Sequence, residues 1–179
     1  MPPSTLPSLT DLEYLPYLDD EGQLIDRPFG IGVYAIFDAS KTLQYIGYSR
    51  DVTLSLKQHL VRQPQKCYWL KVQTIERPSR TLLEEIRTHW IGESGTTPPG
   101  NAAEELLWSQ AIDAKAQMTT AEQSAYAASD DLERTKLLKQ IARRVEAEVM
   151  IQLEQRGVKM PVRFDPKLKE EGLLSLKNQ

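Results

Sequence analysis

Apolar and polar positions change their period several times along this chain, and each change marks an element. GVYAIF and QYIGYS are short apolar runs carrying branched and aromatic residues, the composition that fits strands. They predict strands at 32–38 and 43–48, joined by the polar, turn-like DASKTL. Asp51 then stands before an apolar-periodic stretch and reads as the N-cap of a helix over 52–63, stopped by Pro64. CYWLKVQTI alternates well enough for a third strand at 67–75. Pro78-Ser79 opens a helix over 80–91, with Leu82, Leu83, Ile86 and Trp90 on its inner side, and GESGTTPPGN is a loop.

After Asn101 the pattern becomes helical. AAEELLWSQAI predicts a short helix over 102–112, and Thr119 with Glu122 three residues later reads as a capping box. Asp130 or Asp131 caps a longer helix to Arg156, with Gly157 as its stop. Its apolar seam is Leu138, Ile141, Val145, Val149 and Leu153, spaced three or four apart as an amphipathic face requires. The seam ends toward the N-terminus because Arg134 stands four before Leu138. Such a helix packs on its own domain, pairs with a copy of itself or binds another protein, and the pattern leaves all three open.

Residues 1–29, rich in proline and acid, form a lead-in with a turn at Glu21-Gly22, and its first residues are expected to be mobile. Residues 158–179 form a tail that clips onto a surface. The expected organisation is a lead-in at 1–29, a domain at 30–101, a helical extension at 102–157 and a tail at 158–179. The fold class is α/β: a small three-stranded sheet flanked by helices, with a helical C-terminal extension.

Composition narrows the function classes. A single cysteine, Cys67, excludes an internal disulfide framework and any multi-cysteine zinc site, and its strand-like setting suits a buried thiol. No stretch approaches a membrane span, and MPPSTLPSLTDLEYL lacks the basic and apolar segments of a secretory signal. The expected setting is therefore cytoplasmic or an equivalent reducing compartment such as the plastid stroma. The net charge of −3 argues against a generic basic nucleic-acid binder. Its distribution is uneven, however: residues 41–80 carry eight basic and two acidic side chains. A local excess of this kind can bind phosphate despite a negative total.

Gly32-Val33-Tyr34 and Tyr45-Ile46-Gly47 occupy the first two predicted strands and bring two tyrosines side by side. At this spacing, followed by a helix and a third strand, they resemble the signature of the GIY-YIG nuclease superfamily, over roughly residues 30–101. The strings YSRDVTLSLKQHL and RPSRTLLEEIRTHWI also resemble an uncharacterised subgroup of that superfamily in photosynthetic organisms. The resemblance implies hydrolysis of a DNA phosphodiester with one divalent metal ion. Tyr34 would position or deprotonate the water and Tyr45 would support it. A helix arginine would hold the phosphate and a glutamate the metal.

The chain departs from that pattern at both charged positions. Ser55 stands where the arginine belongs, although His59, four residues on, matches a histidine of some relatives. Arg87 stands where the glutamate belongs, leaving Glu84 or Glu85 as the carboxylate for Mg2+ or Mn2+. Removing one charge-stabilising donor costs on the order of 10²–10³ in rate. Two readings follow. The first is a catalytically degraded relative serving as a binding module for DNA, RNA or protein, with the 131–156 helix as a partner or self-association surface. The second is a divergent metal-dependent endonuclease using Tyr34, Tyr45 and His59, with Glu84 on the metal and Arg62 or Arg50 on the phosphate. In either, Arg50, Lys57, Arg62 and Lys71 are the candidate nucleic-acid contacts, and whether the chain is an enzyme stays open.

Overall fold

Alternation along GVYAIF places successive side chains on opposite faces of a sheet, and here both faces are covered. The structure, a computed structural model, describes residues 6–177; the expected mobility of the first residues falls largely outside them. The chain forms two compact units, the first ending at Ser109 and the second beginning at Gln110.

In the first unit, strands β1 (Leu15–Pro16), β2 (Gly32–Phe37), β3 (Leu43–Ser49) and β4 (Trp69–Thr74) pair in the order β1-β4-β2-β3. Every pairing is antiparallel. All six residues of β2 are buried because it is an inner strand with a helix on each face. On one face Val33, Ala35, Phe37 and Ile46 pack with Leu83, Ile86 and Trp90 of helix α2 (Arg80–Glu93). Tyr34 and Ile36 alternate to the other face, which helix α1 (Val52–Arg62) covers with Leu56, His59 and Leu60. Both helices begin where the sequence indicates: Asp51 accepts from the Leu54 N–H at 3.1 Å, and Ser79 from the Leu82 N–H at 3.2 Å.

The sheet thus has four strands among the described residues, not the three expected. β1 is two residues long, too short to show a period, and its proline lies on an edge where a missing N–H is tolerated. Ahead of it the lead-in is strapped across the α2 face. Leu6, Leu9 and Leu12 pack on the core there, Trp90 Nε1 donates to the Pro7 carbonyl at 2.9 Å, and Glu93 accepts from Ser8 and from the Thr10 N–H. β4 starts two residues later than expected because Pro64–Lys66 forms a 3-10 turn that Cys67 leaves.

The outer edge of β3 is closed by one side chain. Ile46 N–H donates to Asn101 Oδ1 at 2.8 Å, and Asn101 Nδ2 donates to the Ile46 carbonyl at 2.7 Å. The amide thereby stands in for a short partner strand. The helix expected over 102–112 contracts to α3 (Glu105–Ser109), whose Trp108 is fully buried in this unit.

The second unit holds β5 (Ile112–Asp113), α4 (Thr120–Ala128), α5 (Asp131–Gln155), α6 (Pro166–Lys169) and β6 (Leu173–Leu174). The capping box forms at Thr119 and Glu122. The α5 seam of Leu138, Ile141, Val145, Val149 and Leu153 is buried, and Gly157, at φ +87°, follows the helix end. The tail is an integral part of this unit: β6 pairs antiparallel with β5, and Phe164, Leu174 and Leu176 are buried. The units accordingly divide after Ser109, whereas the sequence pattern placed divisions at 101 and 157. Among the described residues no helix is long and apolar enough to cross a membrane.

Replacing Asn101 by alanine strands two part-buried backbone groups of Ile46. Asn101→Ala is expected to lose about 1–3 kcal/mol of stability in urea titration, whereas alanine at the exposed Glu85 changes it by less than about 0.5 kcal/mol.

Candidate functional site: a tyrosine–histidine cluster

The cluster begins with a cross-strand pair. Tyr34 of β2 lies opposite Gly47 of β3, and its ring covers the glycine. A Cβ at position 47 would stand 2.8 Å from the Tyr34 hydroxyl and 2.6 Å from the Tyr45 ring. The glycine of the second motif is therefore a packing requirement: it lets two tyrosine rings converge on one face. Gly32 has a similar cause, since a Cβ there would meet the Gln73 carbonyl oxygen of β4 at 2.5 Å.

Helix α1 presents Ser55 and His59, one turn apart, to Tyr34. The Tyr34 hydroxyl and His59 Nε2 are 2.7 Å apart, and Ser55 lies against the phenol and partly offsets the effect of burial on it. Ser55 Oγ in turn donates to Ser49 Oγ at 2.8 Å, and Ser49 accepts from the Asp51 N–H. Tyr45 stacks on Trp108 with centroids 5.2 Å apart and 3° between planes. His59 fills the angle between them, 4.8 Å from Tyr45 and 5.6 Å from Trp108. Arg62, one turn beyond His59 on α1, donates from Nη1 to the Trp108 carbonyl at 2.8 Å.

Burial sets the electrostatics. His59 is 4% exposed, Tyr34 3% and Trp108 fully buried. Desolvation, then the positive charge of Arg62, push the His59 pKa down to about 3, so its imidazole is neutral near pH 7. Desolvation also drives the Tyr34 and Tyr45 phenols up, which keeps both protonated, and drives the Arg62 guanidinium down.

His59 Nδ1 is buried near the Trp108 carbonyl, an interaction that opposes the lowering of its pKa, and that carbonyl also accepts from Arg62 Nη1. The Tyr34 hydroxyl and His59 Nε2 share one hydrogen bond, and Ser55 Oγ passes its own to Ser49. An imidazole held neutral to about pH 3 is a weak base, and the cluster is a closed, neutral, interlocked hub.

The other candidates from the sequence lie elsewhere. Arg50 is exposed and Lys57 half-buried. Lys71 is 6% exposed and follows Leu70 toward the α2 face, where its Nζ donates to the Leu9 carbonyl at 3.1 Å and lies 4.2 Å from the Tyr14 ring centroid. Burial pushes its pKa down, and it holds the lead-in through the Leu9 carbonyl. Glu84 accepts from Arg80 Nε at 3.1 Å and from the Tyr48 hydroxyl at 3.0 Å. Tyr48 follows Gly47, so it points to the face opposite Tyr34. Arg80, then Tyr48, hold the Glu84 pKa below the usual carboxylate value. Among the described residues no group of three His, Cys, Asp or Glu is placed to hold a metal ion. Sequence reasoning missed Trp108 and Ser49. A lone tryptophan in a five-residue helix carries no periodic signal, and a serine ending a strand looks like any other.

No family model matches the chain. It is 36% identical over 102 residues to the bifunctional monothiol glutaredoxin-S16, chloroplastic, of Arabidopsis thaliana. The match takes in 55% of this chain and 33% of that protein, so the chain spans about a third of the length of the curated relative it matches. This finding corrects the sequence reading. The GIY-YIG assignment, the nuclease and nucleic-acid-binding functions and the Mg2+ or Mn2+ cofactor rested on two short motifs. The long match leads instead to a protein named for monothiol glutaredoxin chemistry. The Glu84 carboxylate, held by Arg80 and Tyr48, agrees with the correction.

A histidine whose folded pKa lies below its unfolded value of about 6.5 binds its proton more readily when unfolded. Stability then falls as pH drops from about 6.5 toward 3. Between about pH 7.5 and pH 5 the native chain is expected to lose about 2 kcal/mol more than His59→Gln does, measured by urea unfolding at each pH.

Proposed function

We propose that this chain is a companion module of thiol-redox chemistry: a folded unit that associates with a monothiol-glutaredoxin-type domain and does not itself carry the thiol step. The observation that carries the reading is the burial of the only cysteine. Cys67 is 0% exposed where the 3-10 turn passes into β4, whereas a thiol that exchanges with disulfides must be reached as a thiolate. An iron–sulfur cluster finds no fitting donor set here, given one thiol, fully buried, and no cluster of three metal-ligating side chains among the described residues. Nor does the antiparallel sheet contain the parallel βαβ unit in which a redox cysteine is ordinarily sought. The matched relative is about three times longer than the matched segment and is called bifunctional. A division of labour between this module and a separate thiol domain accords with both facts. The relative is named chloroplastic, which supports a plastid-stroma or cytosolic setting.

In this reading Tyr34, Tyr45 and His59 are the rigid hub of the first unit, and association uses α5. The α5 seam is buried within its own unit, so the surface offered to a partner lies beside it. Met150 and Ile151 are 41% and 54% exposed, and they line an apolar groove of about 230 Å³ with Leu153, Val158, Met160 and Val162. Methionine-lined surfaces adapt readily to a partner.

Two measurements test the proposal together. In native buffer Cys67 is expected to resist an aromatic disulfide reagent and to react fully once the chain is unfolded, with no turnover of a glutathione mixed disulfide. Calorimetry against the glutaredoxin domain of the Arabidopsis relative is expected to show binding that Met150→Asp with Ile151→Asp weakens at least about tenfold. Rapid native labelling of Cys67, mixed-disulfide turnover, or no binding to that domain would each overturn the proposal.

A further inference from the structure

We infer that a small pocket between the end of β3 and the start of α2 binds an organic carboxylate with a short aliphatic tail. The pocket is distinct from the tyrosine–histidine cluster and from the α5 groove, and encloses about 220 Å³. Its floor is apolar, made by Ile31, Pro78 and Leu83. Its polar lining is made by Ser49, Arg50, Ser79 and Arg80, with Tyr48 beside them.

The inventory of donors and acceptors decides what fits. Ser49 Oγ accepts from the Asp51 N–H and from Ser55 Oγ, and its own proton has no acceptor among the described residues. Ser79 Oγ accepts from the Leu82 N–H and is in the same position. The Arg50 guanidinium is exposed and makes no hydrogen bond or ion pair among the described residues. Arg80 is spent on Glu84 through Nε and also interacts with Tyr48. The Tyr48 hydroxyl also donates to Glu84. The Glu84 carboxylate is therefore held by two donors.

The groups left to a ligand are the Ser49 and Ser79 hydroxyl protons and the Arg50 guanidinium, all donors. A group that accepts several hydrogen bonds and carries negative charge matches them, and a planar carboxylate suits the fork of a guanidinium. The apolar floor selects against a bare hydrated anion, since only a ligand with a tail covers Ile31 and Leu83. Ser49 also accepts from Ser55 of α1, which helps to orient one pocket donor.

The test is a titration of the full chain followed by nitrogen–proton NMR, with hexanoate as probe. Hexan-1-ol supplies the tail without the charge, and inorganic phosphate the charge without the tail. Hexanoate is expected to shift the amide signals of Ser49, Arg50, Ser79 and Arg80 saturably, at about millimolar affinity for so small a ligand. Hexan-1-ol and phosphate should each bind at least about tenfold more weakly. Arg50→Ala, a surface change that leaves the unfolding midpoint in place, should weaken hexanoate about tenfold or more, the loss of one charged hydrogen bond. The inference is overturned if hexanoate produces no saturable shift. It is overturned equally if either control binds as well as hexanoate, or if Arg50→Ala binds hexanoate like the native chain.

Discussion

Tyr34 lying over Gly47 is the contact on which the first unit depends. It occurs at the centre of the sheet, on a strand buried on both faces, and it uses the space a missing side chain leaves. Once the ring is there, its hydroxyl can reach only α1, and α1 answers with Ser55 and His59. The Tyr45–Trp108 stack then closes the cluster from the β3 edge, and Asn101 fastens that edge through both backbone groups of Ile46. A glycine, an amide and three aromatic rings thereby lock two strands, two helices and a loop.

Locking has an electrostatic consequence. Charges in such a place are costly, and the cluster carries none at its centre. The phenols stay protonated, the imidazole stays neutral, and the one cation, Arg62, sits half-buried at the rim with a carbonyl as partner. A site built to activate water on a phosphate would need the opposite: a reachable base, a carboxylate on the same face and an unspent cation. Of the residues that suggested such chemistry, Tyr34 and His59 are committed to each other, Glu84 to Arg80 and Tyr48, Arg62 to the Trp108 carbonyl and Lys71 to the Leu9 carbonyl.

Much of this was legible in the residues. The strands at GVYAIF and QYIGYS, the caps at Asp51, Ser79 and Thr119, and the α5 seam all formed, because each is a local pattern whose cause lies within a few residues. The two-residue strands β1, β5 and β6 were not legible, since nothing periodic fits in two residues. Trp108 was missed for a different reason: its partners Tyr45 and His59 lie far away in sequence, and only the folded chain brings them together. Lys71 and Glu84 show the hazard of reading charge from composition. One is spent on the Leu9 carbonyl and the other on Arg80 and Tyr48. The two short motifs led to a nuclease, and the long match to a monothiol glutaredoxin corrected that function.

The closed hub and the buried cysteine lead to one account of the chain as a rigid, chemically quiet module placed beside redox chemistry performed elsewhere. Its central claim is the state of His59: neutral, buried and hydrogen-bonded to Tyr34. Long-range nitrogen–proton NMR of the histidine rings reads this directly. The account predicts that the His59 ring stays neutral, carrying a single proton, from about pH 8 to about pH 5. A His59 signal that titrates near the ordinary histidine value of about 6.5 would contradict it.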